Sequence, residues 1–338
     1  MKPRRATTLA DLAKLAGVSI TTASRALNDS AAVNEQTKRR IWELARERGY
    51  PFRRYMPAGP TAAAATIAIV IPTPQGRDTR LFDPFVMALV AGVGEAARAR
   101  GCDFLVSHVA PSGYADLAAL MATNRAAGTV FLGQSSLHAA FNRLAERETR
   151  FAVWGAQLPG QRYCSIGSDN ASGGRRATRH LLRLGRRRIA FLGYTEALEA
   201  MQRYQGYLEA LAEARVTPDR RLFVPCQFEM EAAEAAVDGL LGRGVEFDGV
   251  VAASDLIALG VVRALERAGR RVPGDLSVVG YDDIPITRLV RPELTTVRQD
   301  TALAGRLLVA KLLESDRGGE LRSERLPTEL VVRASCGG

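Results

Sequence analysis

Cysteine and histidine are scarce in this 338-residue chain, which has four cysteines and three histidines. The cysteines lie far apart with no Cys-x-x-Cys pair, at Cys102, Cys164, Cys226 and Cys336. Such spacing argues against a zinc site or a disulfide framework and suits a reducing cytoplasm. The histidines stand beside no evident nucleophile. We therefore expect neither catalysis nor a metal or organic cofactor.

Long apolar runs, export signals and enzyme motifs are also missing. The most apolar stretch, 62–71, is too short to span a bilayer, and the basic N-terminus has no apolar segment of a signal peptide. There is no Walker phosphate loop, His-Glu-x-x-His or Gly-x-Ser-x-Gly elbow. A formal dinucleotide pattern that starts at Gly92 lies in a helical stretch and is interpreted as helix packing. These absences predict a cytoplasmic protein that is neither an enzyme nor bound to a membrane.

Positive charge, by contrast, is concentrated near the N-terminus. The formal net charge is +10, and residues 1–60 carry twelve Lys/Arg against five Asp/Glu, which amounts to +7. The other 278 residues therefore hold only +3. This asymmetry is typical of a module that binds a polyanion, although a solvated basic tail would give the same charge.

The basic segment also has the pattern of three short helices. A capping box at Thr8 precedes an apolar helical stripe that Gly17 ends. Ser19 can cap a second helix, and Asn34 can cap a third that runs to Arg48. Three short helices joined by a Gly-containing turn describe the helix-turn-helix, whose second helix enters the major groove of DNA.

The second helix is the predicted DNA-reading element. Arg25 could donate two hydrogen bonds to a guanine, while Ile20 and Thr21 could contact a thymine methyl group. Short hydroxyl and amide side chains suit phosphate oxygens, and those assigned to DNA are Thr8, Ser19, Thr22, Ser24, Asn28, Asn34 and Thr37. For each of them, a helix cap or a solvated polar face is the alternative role.

Residues 8–28 resemble the head of the lactose-repressor (LacI–GalR) family. They read TLADLAKLAGVSITTASRALN, and the family pattern is T-L-x-D-V-A-x-x-A-G-V-S-x-x-T-V-S-R-x-L-N. By this resemblance Ile20, Thr21 and Arg25 are the base-reading positions. The resemblance also implies a homodimer that binds a pseudo-palindromic operator in double-stranded DNA.

The linker after the head departs from the family pattern. Family members have an Asn-x-x-Ala-Arg-x-Leu stretch there, which forms a hinge helix on DNA and wedges an apolar side chain into the minor groove. In this chain Pro57 and Pro60 disfavour a regular helix. Met56 is the candidate wedge, and Arg53 and Arg54 are assigned to backbone phosphates. A flexible tether is the open alternative.

From residue 66 onward, β-branched runs alternate with amphipathic stretches. The predicted strands are Ile67–Ile71, Phe104–Ser107, Val130–Gly133, Phe151–Trp154, Ile189–Gly193, Val250–Ala253 and Val278–Gly280. The predicted helices include Val86–Arg100, Leu137–Glu148, Ala171–Leu184 and Asp255–Ala268. This alternation predicts an α/β fold of parallel sheets with helices on both faces. Ligands of such sheets bind at the carboxyl ends of the strands.

The body resembles the same family in blocks that follow the family's order: Asp83-Pro84-Phe85, Asp169–Gly174, His180–Ile189, Val278–Asp283 and Leu294–Asp300. The resemblance implies a two-lobed, periplasmic-binding-protein-like (type I) body behind an all-α headpiece. The expected domains are 1–50 for DNA binding, 51–65 for the linker and 66–338 for effector binding and dimerisation. Within the body the N-lobe spans about 66–166 and 299–326, and the C-lobe about 167–298 and 327–338.

The same resemblance implies a sugar-type effector, a mono- or disaccharide, between the lobes. The pocket arginine of the family maps to Arg203, and its hydroxyl-binding aspartate maps to Asp282. An Asn/Ser-Asp pair maps to Ser254 and Asp255, and the stacking aromatic residue of the C-lobe maps to Phe228. Capping a turn is the alternative role of Asp282.

On the N-lobe side, Phe85 and Trp154 could line the pocket, and Gln134 could add an amide at a strand end. Core packing is the alternative role of Trp154. A carboxylate that family members can carry after the fourth strand is Gly155 here. This departure argues against transferring the sugar specificity of any relative.

The sequence therefore predicts a transcriptional regulator, a repressor of carbohydrate-utilisation genes whose affinity for its operator is switched allosterically by a sugar-like effector. A ligand-dependent activator, or a regulator that needs a non-sugar co-repressor such as a nucleobase, is the alternative. A solute-binding protein would need an export signal and no helix-turn-helix.

Overall fold

The computed structural model describes residues 8–27, 30, 32–48, 50, 65–72, 83–123, 126–134, 136–315 and 322–337. The chain divides into two compact units, 1–63 and 64–338, which we call the head and the body.

The head consists of three helices, α1 (Leu9–Ala16), α2 (Ile20–Leu27) and α3 (Glu35–Glu47). Their inner faces carry small and branched apolar side chains that are buried together, including Ala23 and Ile41. Small residues let the short helices approach closely, so a core of few side chains can hold the unit together. The three predicted helices are confirmed.

The first half of the body alternates strands and helices. Its elements are β1 (Thr66–Pro72), α4 (Pro84–Arg98), β2 (Asp103–Val109), α5 (Tyr114–Thr123), β3 (Gly128–Leu132), α6 (His138–Leu144), β4 (Phe151–Trp154) and β5 (Ser165–Ser168).

The second half continues this alternation. Its elements are α7 (Asn170–Arg183), β6 (Ile189–Leu192), α8 (Leu198–Glu213), β7 (Phe223–Val224), α9 (Met230–Gly242), β8 (Gly249–Ala252), α10 (Asp255–Arg267), β9 (Ser277–Asp282), β10 (Thr295–Arg298), α11 (Thr301–Ser315), β11 (Glu324–Leu326) and β12 (Glu329–Val331).

The strands form two six-stranded sheets, and we call the halves built on them the N-lobe and the C-lobe. The N-lobe sheet has the order β11-β5-β4-β3-β1-β2 and is parallel throughout. The C-lobe sheet has the order β12-β10-β9-β8-β6-β7, in which only β12 runs antiparallel. The predicted α/β fold with parallel sheets is confirmed.

The chain passes between the lobes three times, after β5, β10 and β11, and each time it leaves the carboxyl end of a strand. The carboxyl edges of both sheets therefore face the same cleft between the lobes. This is the edge at which ligands of open α/β sheets bind.

The dinucleotide-like pattern is indeed a packing device. Gly92 lies within α4, where a Cβ atom would stand 2.4 Å from the carbonyl oxygen of Thr301 in α11. At Gly305 a Cβ atom would stand 2.2 Å from the backbone of Gly92. The two helices are thus in backbone contact, and the interpretation of this motif as helix packing is confirmed.

Several predicted element bounds need correction. The helix expected over 137–148 is α6 and ends at Leu144, because turns occupy 145–147. The helix expected from Val86 begins at Pro84, since Asp83 caps it and proline suits the first helical position. Strands β5, β7, β10, β11 and β12 were not predicted; they span two to four residues, too few for a periodic pattern.

Candidate functional site

The predicted DNA-reading helix presents its outer face to solvent. Ile20, Thr21 and Arg25 are exposed on α2, and Ile20 leaves 54% of its surface uncovered. Their neighbours Ala23 and Ala26 are fully buried against the other two helices. An exposed isoleucine beside an exposed arginine on a helix with a small-residue inner face suits contact with base edges.

Three of the polar residues assigned to DNA are helix caps. The Thr8 hydroxyl accepts a hydrogen bond from the Asp11 amide at 3.2 Å, which with the return bond completes the capping box. The Ser19 hydroxyl accepts from the Thr22 amide at 3.0 Å. The side-chain Oδ1 of Asn34 accepts from the Thr37 amide at 2.8 Å. Capping and a phosphate contact can share one exposed hydroxyl, so the assignment to DNA stays a prediction.

The other assignments in this region divide by position. Ser24 is half-buried on α2. Asn28 and the linker residues Arg53, Arg54 and Met56 lie outside the described residues.

In the body, Arg203 and Asp282 form a buried ion pair at the carboxyl edge of the C-lobe sheet. Arg203 extends from α8 and Asp282 ends β9, and Arg203 Nη1 lies 3.8 Å from Asp282 Oδ1. Their side chains are 6% and 9% exposed. Arg203 also donates to Asn170 Oδ1 at 2.8 Å and to the carbonyl oxygen of Ala253. These two hydrogen bonds, from Nε and Nη1, hold the guanidinium of the buried pair in place.

The Asp282 carboxylate is poised to accept hydrogen bonds. Gln299 Nε2 donates to its Oδ1 at 2.7 Å, from a residue at the crossover between β10 and α11. Burial raises the pKa of the Asp282 carboxyl well above its usual range, and the Arg203 charge opposes this shift. Asp282 also has a φ of 119°, a strained backbone for a non-glycine residue. Strain of this kind is typical of residues held in place for a ligand.

Three residues around this pair were not among the predicted contacts: Asn170, Gln299 and Tyr281. The Arg203 guanidinium carbon lies 3.7 Å from the centroid of the Tyr281 ring, a cation–π contact. Each missed residue belongs to a sequence block that resembles the family. Tyr281 directly follows a predicted strand, and this position was the available signal for it. Asn170 and Gln299 follow β5 and β10, which were not predicted, so no strand-end signal marked them.

Ser254 and Asp255 are used by the fold itself. The Ser254 hydroxyl caps α10 and accepts from the Ile257 amide at 3.2 Å. Asp255 is fully buried; its Oδ1 accepts from the Thr296 hydroxyl at 2.6 Å and its Oδ2 from the Ile284 amide at 2.9 Å. Burial raises the pKa of Asp255 to about 7. Asp255 therefore supports the loop that follows Asp282, and its direct contact with an effector stays a prediction.

Aromatic residues border the cleft from both lobes. Phe85, at the start of α4, packs against the cores of both lobes, and its ring centroid lies 6.1 Å from that of Trp154. Trp154 is largely buried in the N-lobe core, which agrees with core packing, the alternative role predicted for it. Phe228 lies between β7 and α9 and is half-buried against the C-lobe core. The assignment of Phe85 and Phe228 to a sugar ring stays a prediction.

Gln134 fills the space that Gly155 leaves. A Cβ atom at Gly155 would stand 2.5 Å from the Gln134 side chain. Gln134 is fully buried, and its Nε2 donates to the Ala156 carbonyl and the Tyr163 hydroxyl, both at 2.7 Å. Its Oε1 is buried without a partner among the described residues. The missing family carboxylate is thus replaced by an amide held from the neighbouring strand.

Two other kinds of feature are absent from the part of the chain that the structure describes, namely a metal-binding cluster and a membrane-spanning helix. No group of three or more His, Cys, Asp or Glu there could hold a metal ion. No helix among those residues is long and apolar enough to cross a membrane.

Together, a helix-turn-helix head and a two-lobed body with a polar interlobe cleft define the class of ligand-responsive DNA-binding regulators. The sequence model "Bacterial regulatory proteins, lacI family" matches residues 8–51, and that of the "Periplasmic binding protein-like domain" matches 178–336. The transcriptional regulator CelR of Thermobifida fusca is 34% identical over 99% of this chain and 100% of its own. The chain belongs to the lacI family of bacterial transcriptional regulators, which confirms the sequence resemblance.

Two solved structures and a second sequence relative give the same result. A CelR–cellobiose complex superposes with a TM-score of 0.72 at 34% identity, covering 97% of this chain and 99% of that one. A lac repressor dimer bound to operator and the anti-inducer ONPF gives 0.71 at 25% identity, covering 98% and 99%. Escherichia coli GalR is 30% identical over 86% of this chain and 84% of its own.

Proposed function

We propose that this protein is a repressor that binds a pseudo-palindromic operator as a homodimer and is released by a small sugar in the interlobe cleft. The observation that carries the proposal is the buried Arg203–Asp282 pair at the carboxyl edge of the C-lobe sheet. We further propose that it acts in the cytoplasm, where the operator lies, and that it binds its ligand without transforming it.

The chemistry of the cleft suits a polyhydroxyl ligand. The Asp282 carboxylate can accept hydrogen bonds from vicinal hydroxyls, while the Arg203 guanidinium can donate to ring or hydroxyl oxygens. Phe85 and Phe228 supply apolar faces for the C–H side of a pyranose. A few placed polar groups within an aromatic lining is the usual composition of a small-molecule site.

Relatives support both the ligand class and the assembly. CelR is described as a complex with cellobiose, and a LacI-family regulator from Enterococcus faecium, 25% identical with a TM-score of 0.69, holds ribose. The lac repressor is described as a dimer on its operator. For this chain we infer the same assembly and a neutral mono- or disaccharide, with cellobiose as the first ligand to test.

The direct test is footprinting on the DNA upstream of the protein's own gene, with and without a panel of sugars that includes cellobiose. We expect a protected near-palindrome that one sugar releases, because a ligand that weakens DNA binding must itself bind less tightly to the DNA-bound state. Protection that a ligand strengthens would identify a co-repressor instead. Absence of any protected near-palindrome would contradict the proposal.

Replacing Arg25 by alanine should remove base preference while leaving nonspecific binding largely intact. A bidentate contact to guanine discriminates against the wrong base by about 1–3 kcal/mol, so binding to the operator should fall roughly 10- to 100-fold. Fluorescence anisotropy at fixed salt measures the dissociation constants for an operator duplex and for a scrambled duplex. Lys14→Ala, in the last turn of α1, is the matched control and should weaken binding to both duplexes by the same factor. An R25A protein with unchanged preference would refute the assignment.

A further inference from the structure

Three side chains of the N-lobe form a hydrogen-bonded row that ends at the carboxyl edge of its sheet, and we call this row the relay. His138 begins α6, Tyr163 lies shortly before β5, and Gln134 follows β3 at that edge. Gln134 Nε2 donates to the Tyr163 hydroxyl at 2.7 Å, and the same hydroxyl lies 3.0 Å from His138 Nδ1. Gln134 and Tyr163 are buried, whereas His138 is half-buried. The relay therefore connects a titratable ring near the surface with a side chain at the edge where ligands bind.

The hydrogen bonds of the relay hold the Gln134 amide in one orientation. Its Nε2 carries two protons, which it donates to the Ala156 carbonyl and to the Tyr163 hydroxyl, both at 2.7 Å. Its Oε1 is buried and has no hydrogen-bond partner among the described residues. An unpaired buried acceptor is costly, so this oxygen is suited to accept from a donor that arrives with the effector.

The Tyr163 hydroxyl donates its own proton to His138. Its oxygen accepts from Gln134, and His138 Nδ1 is the other polar atom that contacts it among the described residues. Burial raises the pKa of Tyr163 to about 12, and the charge of Glu199 adds to this shift. The hydroxyl therefore keeps its proton at neutral pH. His138 Nδ1 is then an acceptor, and the proton of the neutral ring lies on Nε2.

A second contact of the His138 ring favours the opposite tautomer but is the weaker of the two. Asn142 Nδ2 lies 3.4 Å from His138 Nε2, which is long for a hydrogen bond. The same Nδ2 already donates to the Gly160 carbonyl at 3.2 Å. The Tyr163 contact is shorter, and its buried hydroxyl has no other acceptor among the described residues. It therefore decides the tautomer, because an unpaired buried donor is costly.

Charged side chains near the His138 ring are engaged elsewhere. Within the described part of the chain, none of them makes a hydrogen bond or an ion pair with this ring. The charge state of His138 is thus coupled to the ligand edge through Tyr163. The charged residues of α6, of α5 and of the loop before β5 have these partners: Arg143 stacks on the Tyr114 ring, Asp116 accepts from Ser112, and Arg162 pairs with Glu146.

Proton uptake by His138 breaks the relay. Histidine takes up a proton between about pH 8 and pH 5, and both ring nitrogens are then donors. The Tyr163 hydroxyl thereby loses its acceptor. The acceptor that remains beside it is Gln134 Oε1, which can face Tyr163 only if the amide turns over. That turn withdraws Oε1 from the effector and breaks the hydrogen bond to Ala156.

We propose that Tyr163 and His138 are positioning residues of the effector site, which hold the Gln134 amide with its Oε1 free to accept from the effector. Proton uptake by His138 withdraws this acceptor, and effector affinity falls as the pH falls. This inference rests on the proposed function of the cleft and adds to it a control by pH. The control acts from the N-lobe, apart from the Arg203–Asp282 pair in the C-lobe.

A ligand-free spectrum tests the relay itself. The sequence has three histidines, so full-length protein labelled with ¹⁵N-histidine gives three ring systems, and that of His138 is identified by its absence in His138→Gln. At about pH 7.5 we expect a neutral His138 ring with its proton on Nε2, and an altered Nδ1 signal in Tyr163→Phe. A proton on Nδ1 in the wild type, or a His138 ring that Y163F leaves unaltered, would overturn the proposal.

Tyr207→Phe is the matched control for Y163F. The Tyr207 hydroxyl is also buried and donates to the Ile189 carbonyl at 2.8 Å, but it belongs to the C-lobe. Y207F should leave the His138 signals as they are in the wild type. A change of the same kind in Y207F would mean that loss of any buried hydroxyl alters the ring, and it would contradict the relay.

Calorimetry with cellobiose tests the effect on the site. Between about pH 7.5 and pH 5.5 the wild type should lose about three- to tenfold more affinity than H138Q, whose amide oxygen can accept from Tyr163 but takes up no proton. The comparison is needed because Asp255 and Asp282, whose pKa values are raised by burial, titrate in both proteins. His180→Gln, in the last turn of α7, is the control and should keep the wild-type profile. A wild-type profile in H138Q would overturn the proposal.

Tyr163→Phe separates positioning from stability. At about pH 7.5 it should weaken cellobiose binding about three- to tenfold and remove the same pH dependence that H138Q removes, since both variants interrupt the relay. Y207F loses a comparable buried hydrogen bond and should keep the affinity and the pH profile of the wild type. Equal losses of affinity in Y163F and Y207F would refute the positioning role. If cellobiose does not bind the wild type, the proposed ligand fails, whereas the histidine spectrum still decides on the relay.

Discussion

Arg203→Ala is expected to abolish the response to effector and to lower the unfolding free energy of the body by roughly 3–5 kcal/mol. The Arg203 side chain is 6% exposed, and its loss leaves the buried Asp282 carboxylate without its counter-charge. It also removes the donor to Asn170, which starts α7, and the cation that stacks on Tyr281. Effector affinity should fall about 100-fold or more, as for the loss of a buried charged hydrogen-bond partner.

Two measurements on purified protein check this result. Urea denaturation of the body gives the stability change, and calorimetry with the inducing sugar gives the affinity. Arg179→Ala is the control. Arg179 in α7 pairs with Glu213 in α8 at 2.6 Å, but both side chains are more than 40% exposed. That surface pair should contribute about 0–1 kcal/mol and leave effector binding unchanged. An R203A protein as stable as R179A would contradict the central role of the buried pair.

Gly206→Ala is expected to cost about 3 kcal/mol of stability and to weaken effector binding as well. Gly206 lies in α8, where a Cβ atom would stand 1.9 Å from the carbonyl oxygen of Ala171 in α7. Backbone cannot yield as a flexible side chain does, so the two helices must separate. Because α8 carries Arg203 and α7 carries Asn170, their separation would also loosen the 2.8 Å bond between them.

The same substitution elsewhere provides the control. Gly239 lies in α9. A Cβ atom added there would have Nη1 of the flexible Arg243 side chain as its nearest neighbour, at 3.6 Å. Gly239→Ala should therefore be neutral or stabilise the body by up to about 1 kcal/mol, since alanine has the better helix propensity. Equilibrium denaturation of both variants measures the contrast. Equal stability of G206A and G239A would show that α7 and α8 can move apart without cost.

The head was predictable from sequence because its signals are local. The capping box at Thr8, the left-handed Gly17 with a φ of 69° and the Asn34 cap each act over three or four residues. Local hydrogen bonds of this kind leave a direct trace in the order of residues. The same signals could not decide whether Ser19 caps a helix or meets a phosphate, because one exposed hydroxyl can serve both.

The cleft was predictable only in part. Resemblance to the family placed Arg203 and Asp282 in one site, although 79 positions separate them in the chain. It did not show that Asp255 is fully bonded within the protein, that Gln299 supports Asp282, or that Gln134 occupies the space above Gly155. These contacts depend on which strand ends the sheet order brings together, and no periodicity in the sequence encodes that order.

The scarcity of cysteine and histidine, the basic N-terminal segment and the alternation of strands and helices were properties of the sequence alone. They indicated the class of protein, because composition, charge and hydrophobic periodicity can be determined from the residues alone. The tertiary structure decided which carboxylates face the cleft and which are consumed as caps or core contacts. Asp83, Asp255 and Asp282 are the same type of residue in the sequence. Burial and hydrogen-bond partners, which exist only in the folded chain, give each of them a different role.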